Sequence, residues 1–229
     1  MREEHLMNKR LENYNEINNL IQRKVYGSNK FMKLYEFLIE FRYNYIAPQY
    51  FLETLVKSEQ KYFSEKMTGI ISKGILDEND MYNSQIDLKL EVNNLLINIK
   101  MSLDRIVKIA AIFYNGVSPS STFGHINDDG KSKGFMSYVC QYKSSDKLLE
   151  LVYTNYMEWI KEAVLPRNQI MHYENLLITF PYNLISDEIS ISYKTNEGFE
   201  FDINDLSNYT EKWFLFIDEI FDIIISTYK

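Results

Sequence analysis

Cysteine, proline and glycine are scarce in this chain: one Cys, four Pro and eight Gly among 229 residues. The lone Cys140 excludes an intramolecular disulfide and leaves no cysteine cluster for zinc. So little Gly and Pro argues against a loop-rich sandwich or a disordered chain. The start, Met1-Arg2-Glu3-Glu4, has no apolar signal segment. The most apolar stretch, Trp213 to Tyr228, is interrupted by Asp218, Glu219 and Asp222, too short and too charged for a bilayer. No glycine-rich phosphate loop is present, which argues against a P-loop nucleotidase. A basic excess is missing too: the net charge is −7, against a general nucleic-acid binder. These absences lead to the expectation of a soluble, cytoplasmic, reducing-compartment protein without a membrane partner.

What is present is core material, with 45% hydrophobic and 15% aromatic residues. The abundant Asn, Ile, Lys and Tyr fit an AT-rich genome and carry no functional meaning. Charge is uneven. Residues 1–33 hold seven Lys or Arg against four Glu, whereas residues 178–229 hold ten acids against three lysines. The acidic C-terminal part accounts for the whole imbalance, so the low pI leaves room for a local phosphate site.

Periodicity predicts helices over 5–25, 30–46 and 49–67, with Ala47-Pro48 bending or ending the second. Residues 69–80 read as a connection. The longest helix is expected from Tyr82 to Tyr114, with Leu88, Leu95, Ile99, Ile106, Ala110 and Phe113 facing a core. Residues 116–134 lack periodicity, and a loop that long is functional or mobile. A short element over 135–142 and a helix to about Val164, capped by Ser145 or Asp146, come next. The period then changes to two: Ile189, Ile191 and Tyr193, then Phe199, Phe201 and Ile203, around a turn at 195–198, with a third strand over 177–180. The last helix, about Asp205 to Thr227, is expected to bury Trp213, Ile217, Ile220 and Ile224 and to turn Glu211, Asp218 and Asp222 away.

Chemistry concentrates in Arg167-Asn168-Gln169-Ile170-Met171-His172, directly after Pro166. A permanent cation, an amide and the only imidazole expected inside a helix stand close together, and histidine exchanges a proton near neutrality. The combination suits phosphodiester cleavage; it suits an ordinary buried polar contact as well. Positions five apart on a straight helix point about 140° away from each other. Arg167 and His172 therefore meet only if Pro166 starts or kinks a helix, or if two copies converge. Weaker candidates are Asp104, which could tune His172, with Arg105 beside it, and Tyr173 and Tyr153, which could stack a base. His125 with Asp128 and Asp129 fits no known metal-ligand spacing, and Cys140 reads as a small core residue.

The string Arg167-Asn168-x-x-x-His172, behind a long helix and followed by Tyr173-Glu174, resembles the Arg-polar-x(3 to 5)-His motif of the HEPN superfamily. The preceding Trp159–Pro166 run has the same flavour. The resemblance spans residues 85–229 as architecture and six residues as motif. It implies an all-α, HEPN-like helical bundle; joined to the alternation read above, the expectation is a mainly α fold over 81–229 with a small antiparallel β-hairpin or meander inserted at about 177–204 before the C-terminal helix. Residues 1–80 are then an N-terminal helical extension packed on the bundle. The implied activity is metal-independent endoribonuclease cleavage without a cofactor, in a toxin or phage-defence setting. His172 would be general acid or base, Arg167 would stabilise the phosphate, and Asn168 would orient one of them or contact the phosphate; Asp104 and Tyr173 stay the candidate supporting residues named above. The implied partners are RNA or a nucleotide phosphate, a second copy of the chain, and an antitoxin or other protein. The superfamily also holds non-catalytic nucleotide-binding and regulatory members, and that alternative stays open. The 80 extra N-terminal residues and the strand-rich insertion depart from the simplest family pattern.

Overall fold

A computed structural model describes residues 2–25, 29–64, 78–172, 176–183 and 188–229; for 2–10, 25, 29–42, 78–84, 167–172, 182–183 and 188–189 it describes the backbone path alone. The protein is a mainly α helical bundle with a small antiparallel sheet before the last helix. Its helices are α1 (Arg2–Val25), α2 (Asn29–Tyr62), α3 (Glu78–Phe113), α4 (Phe135–Tyr142), α5 (Lys147–Asn155), α6 (Lys161–His172) and α7 (Ile203–Tyr228). A π-helical stretch, Tyr156–Ile160, joins α5 to α6. The connection expected over 69–80 falls outside the described residues as far as 77. His5 lies within α1, so His172 is not the only helical imidazole.

Pro48 does not end its helix. One helix of 34 residues runs through it. A proline inside a helix removes the N–H that the carbonyl four residues back would accept. That carbonyl, on Asn44, takes a hydrogen bond from the hydroxyl of Ser102 on α3 at 2.6 Å. The next carbonyl, on Tyr45, accepts from Trp213 Nε1 of α7 at 3.2 Å. Tertiary donors at the proline step allow α2 to continue.

Contacts divide the chain into two compact units, Met1–Tyr45 with Lys100–Lys161 and Lys212–Lys229, and Ile46–Ile99 with Glu162–Glu211. In the first unit Trp213, Ile217, Ile220 and Ile224 of α7 are buried as expected. Asp218 departs from expectation: it is half-buried and accepts from Tyr45 Oη at 2.9 Å. The long non-periodic stretch folds as a loop closed by β1 (His125–Ile126) and β2 (Ser132–Lys133). Gly124 and Gly134 make its crossing possible. A Cβ on Gly124 would stand 1.8 Å from the Lys133 carbonyl oxygen, and its φ of +80° also favours glycine. Asp146 caps α5, accepting from the N–H groups of Leu148 and Leu149 and from Tyr114 Oη. Burial, then the Asp146 carboxylate, pushes the Tyr114 hydroxyl's pKa well up.

In the second unit, strands β3 (Leu177–Thr179), β6 (Ser192–Lys194) and β7 (Glu200–Asp202) form a three-stranded antiparallel sheet with Ile178, Tyr193 and Phe201 in register. A separate pair joins β4 (Tyr182–Asn183) to β5 (Glu188–Ile189). Ile203, which the alternation places in a strand, instead begins α7. Asp202 Oδ1 accepts from the N–H groups of Asn204 and Asp205 at 2.7 and 3.0 Å, while Asp205 Oδ2 accepts from the Asp202 N–H at 3.0 Å. This reciprocal cap starts the helix before the alternation ends. Among the described residues no helix is long and apolar enough to cross a membrane.

Candidate functional site

Helix α6 carries the Arg-Asn-x-x-x-His string. Of the two expectations at Pro166, a fresh start or a kink, the fresh start does not hold: the backbone is helical from Lys161 through the proline to His172. Ile160, Ala163 and Pro166 are all buried, so one inward face spans the junction with the π stretch. Burial of that face offsets the ~3 kcal/mol that a helix-interior proline costs. Arg167 and His172 therefore occupy two positions of one helix, five residues apart. The side chains of Arg167, Asn168 and His172 lie outside the described residues, and so does Tyr173 altogether.

The remaining candidates have defined surroundings. Asp104 Oδ1 accepts from the Phe123 N–H at 2.7 Å and from Lys100 Nζ at 2.8 Å, which anchors the 114–134 loop to α3. The loop acids are engaged locally: Asp129 with Lys131, Asp128 with Lys161. Among the described residues no three His, Cys, Asp or Glu side chains converge as a metal set. Cys140 is half-buried on α4. The Tyr153 ring has Lys143 Nζ 3.1 Å from its centroid, so one of its faces is covered.

A second polar centre is built by α2, β6 and the start of α7. Glu59 of α2 is 8% exposed and Tyr193 of β6 is 0% exposed. Tyr193 Oη donates to Glu59 Oε1 at 2.7 Å. Burial raises the Glu59 pKa; the tyrosine hydrogen bond opposes that shift, and the Asp202 charge adds to it. Burial and the Glu59 carboxylate push the Tyr193 hydroxyl upward in turn. Glu59 lines a cleft of about 380 Å³ together with Gln60, Phe63, Asn204 and Ser207.

No family model, curated protein or solved structure matches this chain. The HEPN resemblance thus stands on residues 167–172 and their helical setting.

Chemically, the α6 string supplies a fixed cation and a titratable imidazole, the requirements for moving a proton beside a charged phosphorus. The Glu59–Tyr193 pair supplies a carboxyl that titrates above its ordinary range inside a cleft, a pattern enriched at functional sites. The motif reading passed over Glu59, although a signal existed. Leu52, Leu55, Glu59 and Tyr62 follow one helical stripe and all four are buried, so Glu59 is an acid written into an apolar face.

Proposed function

We propose that this protein is a metal-independent endoribonuclease of HEPN type, acting as a homodimer in a toxin or defence setting. The carrying observation is the Arg167-Asn168-x-x-x-His172 string on one continuous helix of a mainly α bundle. His172 takes the proton from an RNA 2′-hydroxyl or delivers one to the departing 5′-oxygen. The 2′-oxygen bonds to phosphorus as the bond to the 5′-oxygen breaks, leaving a 2′,3′-cyclic phosphate and a 5′-hydroxyl. Arg167 holds the phosphate oxygens as charge builds on them, and Asn168 orients one of the two groups. Because positions 167 and 172 are rotated by about 140° on one helix, the proposed assembly brings two copies of α6 together. The net charge of −7 then favours a particular RNA, or one delivered by a partner, over RNA in general. The same acidity favours a second reading, a non-catalytic nucleotide-binding dimer.

The test incubates wild type, His172→Ala and Arg167→Ala with mixed RNA in the presence of a chelator. Wild type yields cyclic-phosphate ends, and each variant loses roughly 10²-fold or more of the rate. Cleavage that persists in both variants ends the catalytic reading. Nucleotide binding without cleavage, lost in Arg167→Ala, establishes the second reading instead.

A further inference from the structure

Among the described residues, the cleft at Glu59 is an electrostatic site without a counter-charge. A carboxylate offers about four acceptor positions, and buried carboxylates are ordinarily met by several N–H donors or by an arginine. Glu59 has one described partner, Tyr193, which occupies Oε1. Oε2 meets no donor among the described residues, and it is not among the atoms sealed inside the protein without a partner. Glu59 itself lines the cleft, which leaves Oε2 as the acceptor available to a group seated there.

The rest of the described lining is uncharged. Val56, Phe63 and Ile203 make apolar walls, while Gln60, Asn204 and Ser207 add amides and a hydroxyl. The further described charge acting on Glu59 is again negative, Asp202, whose oxygens are occupied by the α7 cap. An anionic ligand would meet repulsion from both carboxylates and find no cation in the described lining. A ligand that brings N–H donors and a positive charge on an apolar stem would fill the missing acceptor position, balance the charge and use the walls.

We propose that this cleft binds a guanidinium or primary ammonium group on an aliphatic stem, seated on Glu59 Oε2. The stem packs between Phe63 and Ile203, and Gln60, Asn204 and Ser207 receive the remaining polar atoms. The chemistry is shared by a free small cation and by an arginine or lysine side chain of a protein partner. Retaining a carboxyl on an otherwise apolar stripe raises the free energy of the empty fold, and a cationic ligand recovers that cost. The proposal is independent of the ribonuclease reading, because it uses no residue of the Arg167–His172 string.

The experiment titrates the full chain by calorimetry with agmatine, with butylamine and with a short arginine-containing peptide of blocked termini. At least one probe is expected to bind saturably, with Kd on the order of 1 mM or tighter. Agmatine or butylamine as the stronger arm assigns a free cation, and the peptide as the stronger arm assigns a protein side chain. Glu59→Gln, checked for folding by circular dichroism, is expected to weaken binding at least about tenfold. Gln60→Lys places a cation at the exposed rim without touching the buried pair and is expected to do the same. No saturable binding by folded wild type, or affinity unchanged in either variant, overturns the proposal.

Discussion

Replacing Ser102 by alanine tests how α2 passes through Pro48. The Ser102 hydroxyl is wholly buried and donates at 2.6 Å to the Asn44 carbonyl, whose helical partner would be the N–H that Pro48 lacks. Ser102→Ala leaves that carbonyl without its described donor. An unsatisfied buried polar group costs about 1–3 kcal/mol. For a chain of this length, a loss of about 2 kcal/mol lowers the melting temperature by roughly 4–8 °C. Pro48→Ala restores an N–H in the right place and relieves the helix of its proline. In that background Ser102→Ala should cost less than about 1 kcal/mol, because the carbonyl now has its own helix to turn to. The two substitutions should therefore be coupled by about 1 kcal/mol or more in a double-mutant cycle measured by urea unfolding. Equal cost of Ser102→Ala in both backgrounds would refute the reasoning, since the hydroxyl would then not be replacing the missing N–H.

Two further substitutions probe the loop and the buried acid. Gly124→Ala drives a Cβ into the Lys133 carbonyl, whereas Gly130→Ala at the same φ meets nothing within 4 Å; thermal melts should show a penalty near 1 kcal/mol for Gly130→Ala and a clearly larger one for Gly124→Ala. Glu59 faces Tyr193 and Asp202 and no described cation, and its pKa is raised in the folded state mainly by burial. A raised carboxyl contributes stability that is full below the unfolded-state pKa and is lost as pH climbs through the folded value. Glu59→Gln, which keeps an acceptor for Tyr193 without the charge, should match wild type in acid. It should become the more stable protein as pH rises above the ordinary glutamate range, with a slope no steeper than about 1.4 kcal/mol per pH unit. Urea midpoints that differ by the same amount at every pH would contradict that assignment.

The elements legible in the sequence were those in which one local rule dominated. The long stripe of α3, the inward residues of α7, the Asp146 cap and the turn between β6 and β7 all follow from spacing and side-chain chemistry within a few residues. Local rules fail where distant groups intervene. Pro48 and Pro166 read locally as bends or breaks, and α2 and α6 continue through them. At Pro48 the donors are Ser102 and Trp213, far along the chain, and no local pattern announces them. Asp104 has described bonds to the Phe123 amide and to Lys100, while the side chain of His172, the imidazole it is expected to tune, lies outside the described residues.

By itself, the sequence determined the helical class, the small sheet before the last helix and the string Arg167-Asn168-x-x-x-His172 on which the ribonuclease proposal rests. Hydrophobic period and motif spacing are properties of neighbours along the chain. Only the tertiary structure decided that Glu59 meets Tyr193, 134 residues away, and lines a cleft with the start of α7. Burial and charge balance at a carboxylate depend on which distant segments surround it, and the fold alone brings those segments together.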